Sequence, residues 1–142
     1  MENLEQIIFY TVDKAIKTYR QFAQRRLYEA GLDITIDQWL VVKALMEKPD
    51  ISQLEIAGKV FKDAASVTRI IDLLVKKNYL QRTAHSSDRR RFALEVTVQG
   101  QELMKNVAKV VTQNRKIALN HISENQLEQT RKTLLTITKN CQ

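Results

Sequence analysis

Apolar residues recur at steps of three and four along the first thirty positions: Leu4, Ile8, Val12, Ala15 and Ile16, Tyr19, Phe22 and Ala23, Leu27. This is the spacing of one helical face, and it predicts one long helix over about 3–30. Gly31 follows, the residue that most readily closes a helix in the left-handed conformation. Thr35-Ile36-Asp37-Gln38 then reads as a capping box, a hydroxyl at the N-cap and an amide three positions on. The helix it opens, about 36–47, carries Trp39, Val42, Leu45 and Met46 and must stop before Pro49.

Ser52-Gln53-Leu54-Glu55 is a second capping box, with Ile51 and Ile56 placed to act as a hydrophobic staple. Its helix is short and ends near Val60. Phe61-Lys62-Asp63 makes a tight connection, and Asp63 is positioned to cap a fourth helix over about 64–77, whose buried stripe is Val67, Ile70, Ile71 and Leu74. Lys76 and Lys77 suit its C-terminal dipole as a solvated end, and Asn78 suits the left-handed cap. Beyond Asn78 the period changes to two. Leu80, Arg82 and Ala84 alternate with Gln81 and Thr83, and Phe92, Leu94 and Val96 alternate with Ala93 and Glu95. Two strands around a long polar tip are expected, a hairpin too small to stand alone. Thr97 then caps a long helix over about 98–120. Ser123 and Gln126 form a third box, and the last helix runs to about 139.

A short helix joined by a tight turn to a second amphipathic helix is the helix-turn-helix order, although an ordinary helical corner has the same outline. The basic hairpin behind it favours the first reading. The expected fold is mainly α: a winged helix-turn-helix core with a two-stranded β-wing, flanked by N- and C-terminal dimerisation helices. One domain over 1–142 is expected, with 36–97 as a DNA-binding lobe. Residues 1–34 and 98–142 carry apolar stripes that the lobe does not use, and a homodimer would bury them.

Charge sharpens this picture. The chain has a net charge of +7, and the stretch from Lys62 to Arg91 holds eight cations against three acids, so +5 is concentrated there. Three consecutive arginines at a turn tip repel one another, and an anionic partner relieves that cost. Ala64, Ala65, Ser66, Thr68 and Arg69 are the early residues of the fourth helix able to face a major groove. The alanines allow close approach, the hydroxyls suit phosphates or base edges, and Arg69 suits guanine or phosphate. Ser66 has a competing role as a local helix cap. Arg89, Arg90 and Arg91 suit a narrow minor groove, with Asp88 placed to hold and aim the Arg90 side chain.

The run Asp88-Arg89-Arg90-Arg91-Phe92-Ala93-Leu94-Glu95-Val96-Thr97-Val98-Gln99-Gly100 resembles the wing signature of the multiple-antibiotic-resistance (MarR) family, an Asp-x-Arg, a short strand and Thr-x-x-Gly. Ser66 to Leu74, followed by Tyr79-Leu80-Gln81-Arg82, is similar to that family's recognition helix. Asn78 departs from it, standing where the family usually has Gly. The resemblance implies a dimeric transcriptional regulator, with Arg90 in the minor groove and Asp88 orienting it. It also implies a small aromatic or phenolic effector between dimer helices and lobe, and Phe22 and Trp39 are the expected lining. Both have a plainer reading as core aromatics.

Other classes fit less well. His85 and His121 show no metal-ligand spacing, no phosphate loop exists among three scattered glycines, and neither an enzyme nor a cofactor is expected. The single Cys141 can form no internal disulfide, and no apolar run suggests a membrane span, so a cytoplasmic protein is expected. Two alternatives remain, a sequence-tolerant nucleoid-type DNA binder and a winged-helix protein-interaction module that binds no DNA. Double-stranded DNA is the expected partner.

Overall fold

A computed structural model describes residues 1–84, 87 and 92–142, with Phe92 by its backbone only. The chain begins with a short 3-10 turn at Leu4–Gln6, in which the Asn3 backbone N–H donates to Gln6 Oε1 at 2.9 Å. That turn separates Leu4 from the first helix, α1 (Ile8–Glu29), where the apolar periodicity alone predicts one continuous element. Gly31 ends α1 at φ +72°, with Leu32 N–H returning to Leu27 O and Gly31 N–H to Tyr28 O, a Schellman closure.

Five helices follow the expected boundaries closely. α2 (Ile36–Glu47) is opened by the reciprocal Thr35–Gln38 box. α3 is Gln53–Val60 and α4 is Ala64–Lys76. β1 (Leu80–Ala84) and β2 (Phe92–Val96) pair antiparallel, with Leu80 opposite Val96 and Arg82 opposite Leu94. α5 (Val98–Ala118) and α6 (Glu124–Asn140) complete the chain, and the Ser123–Gln126 box on α6 has both of its bonds.

One cap differs from expectation. Ser52 accepts the Glu55 N–H, but the Glu55 carboxylate turns to Lys48 Nζ at 2.8 Å instead of bonding the N-cap backbone. A full opposite charge within reach outcompetes a neutral amide. Lys48 therefore holds the Glu55 carboxyl below its ordinary range.

The core lies where α2, α3, α4, the hairpin and α5 meet. Val41, Ile56, Val67, Ile71, Leu74 and Val107 are fully buried in it, and Leu27 brings in the end of α1. Each such side chain contributes about 1.5–3 kcal/mol relative to exposure. Ile51 and Ile56 are both buried there, as a staple requires.

The root of the hairpin is held by backbone. Thr97 N–H donates to Tyr79 O at 3.1 Å, and its hydroxyl donates to Asn78 O at 2.6 Å while accepting from Gly100 N–H at 2.9 Å. A Cβ on Gly100 would collide with the Tyr79 carbonyl oxygen and press on Val96 Cγ1 at 3.0 Å. The Thr-x-x-Gly spacing thus has a steric cause, a helix start seated directly on the strand that precedes the wing.

Candidate nucleic-acid interface

α3 and α4 are joined by Phe61, Lys62 and Asp63. Phe61 turns the chain at φ 59°, and Lys62 N–H returns to Ala57 O at 3.0 Å. Asp63 then caps α4, accepting the Ser66 N–H at 2.7 Å on one carboxylate oxygen and the Ser66 hydroxyl at 2.9 Å on the other. These bonds to Ser66 hold the Asp63 carboxyl below its ordinary 3.8. Because Val67, Ile71 and Leu74 face the core, the other side of α4 faces solvent. Ala64, Ala65, Thr68 and Arg69 are exposed on it, as expected.

Ser66 is placed differently. It is half-buried, its proton goes to Asp63, and it accepts from Arg69 Nη2 at 3.2 Å. Its capping role is the one observed. The Thr68 hydroxyl donates to Ala64 O at 3.0 Å, an ordinary i−4 bond, and lies 3.4 Å from Gln53 Oε1 of α3, while the residue stays exposed. The exposed surface of α4 therefore offers two small methyl-bearing residues, one threonine and one guanidinium.

Long-range charge pairs position this helix, and sequence patterns give no sign of them. Asp37 at the start of α2 receives Arg20 of α1 at 2.5 Å on one oxygen and Lys62 of the turn at 3.2 Å on the other. Lys77, expected as a solvated helix end, instead reaches Asp33 Oδ1 at 3.0 Å and the buried Gln38 at 3.3 Å. Arg82 of β1 pairs with Asp72 of α4. Each partner lies ten or more residues away, beyond the reach of a periodicity argument.

The hairpin is braced by that Arg82–Asp72 pair and by Gln81 donating to Glu95 at 3.1 Å. Asp88, Arg89, Arg90 and Arg91, together with His85, lie outside the described residues.

The two aromatic residues expected to share one effector pocket do not meet. Trp39 borders a cavity of about 220 Å³ between α1, α2 and α5, with Tyr19, Arg20, Leu27, Val107 and Arg115. It also borders a wider groove of about 810 Å³ against β2 and α5, beside Lys43, Met46, Met104, Lys105 and Arg115. Phe22 lines a different hollow of about 600 Å³ with Lys14, Arg25 and Ile117. Tyr19 stands between them and borders both, its ring centroid 6.4 Å from that of Phe22. Ala23 and Leu27 are the residues of α1 that turn inward, and Phe22, one position before Ala23, is rotated about 100° away.

Apolar side chains remain uncovered at both ends of the chain. Leu4, Ile8, Phe9 and Ile16 are 49–63% exposed, as are Ile117 at 53% and Leu135 at 62%. α6 buries none of its residues. Asn114, by contrast, is buried on α5 and accepts from Arg26 Nε at 3.1 Å, fastening α1 to α5.

Residues 34–92 match the family model described as the MarR family. Solved structures share the fold along the whole chain. A MarR/EmrR family transcriptional regulator from Acinetobacter sp. ADP1 is 21% identical, with 99% of this chain and 98% of that one covered and a TM-score of 0.87. MepR of S. aureus, solved as a complex with DNA, is 20% identical, with 97% and 99% covered and a TM-score of 0.84. CouR from Rhodococcus jostii RHA1, bound to p-coumaroyl-CoA, is 20% identical, with 96% and 95% covered and a TM-score of 0.83. The structural likeness speaks for the fold, and the family match for the segment that carries α2, α3, α4 and β1. Together they give a chain with the winged-helix fold whose residues 34–92 match the MarR family.

Proposed function

We propose that the chain is a sequence-specific regulator of transcription, a homodimer that represses from a pseudo-palindromic site on double-stranded DNA and is released by a small aromatic effector. The outward face of α4 carries this reading. A helix capped by Asp63, pinned by Val67, Ile71 and Leu74 and tied through Lys62 to Asp37 presents Ala64, Ala65, Thr68 and Arg69 as a rigid, clear surface. Such a surface suits a major groove, where alanine and threonine methyls meet thymine and arginine grips guanine or phosphate. MepR, which shares the fold, is solved as a complex with DNA, and this supports the reading.

Dimerisation follows from the uncovered apolar side chains of α1, α5 and α6. Two-fold symmetry then sets the two recognition helices on successive turns of one duplex face. For the effector, the cavity beside Trp39 combines an aromatic wall with Arg20 and Arg115, which suits a flat ring bearing an acidic group. CouR, bound to p-coumaroyl-CoA, supports small-molecule control on this fold.

Fluorescence anisotropy across a salt series tests the function. Duplexes from the DNA upstream of the chain's own coding sequence should bind at least tenfold tighter than a random pool. The complex should hold two protein chains and weaken steeply as salt rises. Equal, weak affinity for both pools would favour the sequence-tolerant binder. Absence of binding at low salt would favour the protein-interaction module.

A further inference from the structure

Among the described residues, three other than glycine adopt positive φ: Asn78 at 65°, His121 at 64° and Phe61 at 59°. Asparagine and histidine are among the types that enter this region most readily, whereas a bulky aromatic there is an outlier. The turn between α3 and α4 requires that conformation, because the backbone N–H groups of Phe61 and Lys62 both return to Ala57 O. Glycine would satisfy the same geometry without strain. Nor does the ring support the fold, since Phe61 is 93% exposed and buries almost nothing. In the free protein, then, the side chain carries a conformational penalty and gains no burial in return.

Backbone strain of this kind, held by surrounding structure, is a pointer to function. We propose that Phe61 is a DNA-contacting residue, its ring laid against the apolar parts of the duplex at the leading edge of α4. This inference rests on the function proposed above. Phe61 lies two positions before the N-cap Asp63 and three before Ala64, so its Cα is within about 11 Å of the first residue of α4. A duplex seated on Ala64, Ala65 and Arg69 passes that close to the ring. Lys59, Lys62 and Arg69 outnumber the one acid of the stretch, Asp63, and although Lys62 is paired with Asp37 the balance favours a polyanionic partner over an apolar protein surface. Deoxyribose and the thymine methyl are the parts of such a partner that a phenyl ring can cover. Ala64 and Ala65, small and exposed, leave the approach open.

The test sets stability against affinity. Full-length wild type, Phe61→Gly and Phe61→Tyr are compared by thermal melting, by solution mass and by anisotropy on the duplex that wild type selects from a random pool. Phe61→Gly should melt about 2–6 °C higher, the strain having been removed, and bind about tenfold more weakly with the dimer intact. Phe61→Tyr, which keeps the ring, should bind as wild type does. A Phe61→Gly protein that melts higher and binds as wild type would overturn the contact, and so would one whose assembly alone changes. A lower melting temperature would also overturn it, by making the ring part of the fold. Failure of wild type to select any duplex is a separate result, seen before any variant is made, and it strikes the proposed function itself.

Discussion

Asp63 shows how a single side chain serves two tasks. Its two oxygens hold the Ser66 amide and the Ser66 hydroxyl, and that hydroxyl in turn receives Arg69. The carboxylate thus caps the start of α4 and, through Ser66, steadies a guanidinium on its outer face. Its carboxyl is held below its ordinary 3.8, so its stabilising contribution is complete above that value and is lost as pH falls through the lowered folded one. Asp63→Asn keeps a capping oxygen but does not titrate. Urea melts between pH 5 and pH 2 should therefore show a smaller acid loss for this variant than for wild type, and equal losses would remove Asp63 from the acid response. The cap itself is visible in the sequence, because capping is local. Which role Ser66 plays is not, since a hydroxyl at that position serves a cap or a phosphate equally well. The distance between Phe22 and Trp39 was hidden for a different reason: a one-residue offset on a helix turns a side chain by about 100°.

At the level of elements, boundaries were readable wherever the signal is local. The Thr35 and Ser123 boxes, the Gly31 closure and the change of period after Asn78 all place their elements correctly. The break at Ile7 escapes the pattern because the apolar spacing continues unbroken across it. Ties such as Arg26 to Asn114 and Lys77 to Asp33 escape because they join residues far apart in sequence. The wing is the element whose role rests most on its tip. Arg90 is proposed to enter the minor groove, with Asp88 aiming it. Arg90→Ala should weaken specific binding by about 1–3 kcal/mol and leave the dimer intact. Affinity unchanged in the anisotropy assay would remove the wing from the interface.

For the whole molecule, the division of labour follows from where the core is. α2, α3, α4 and the hairpin close around a buried centre, whereas α6 and the first half of α1 leave their apolar residues uncovered. A surface of that kind is expected to be covered by a second copy. Deleting residues 123–142 should therefore convert a dimer into a monomer in analytical ultracentrifugation, while the lobe keeps its helical signal. A truncated chain that still sediments as a dimer would place the interface elsewhere.

The knot at the hairpin root has a mechanical consequence. Thr97, Tyr79 and Gly100 fasten the end of α4, the first strand and the start of α5 to one another through backbone atoms and the Thr97 hydroxyl. The hairpin is thus a beam without a pivot where it leaves the body, and the Arg82–Asp72 pair and the buried Leu94 tie it to the body again further along. Each strand is five residues long. At about 3.4 Å per residue the beam extends roughly 17 Å, so a rigid tilt of about 10° shared by its root, α4 and α5 sweeps its far end through about 3 Å. That is a whole hydrogen-bond length, reached with no change inside the hairpin itself.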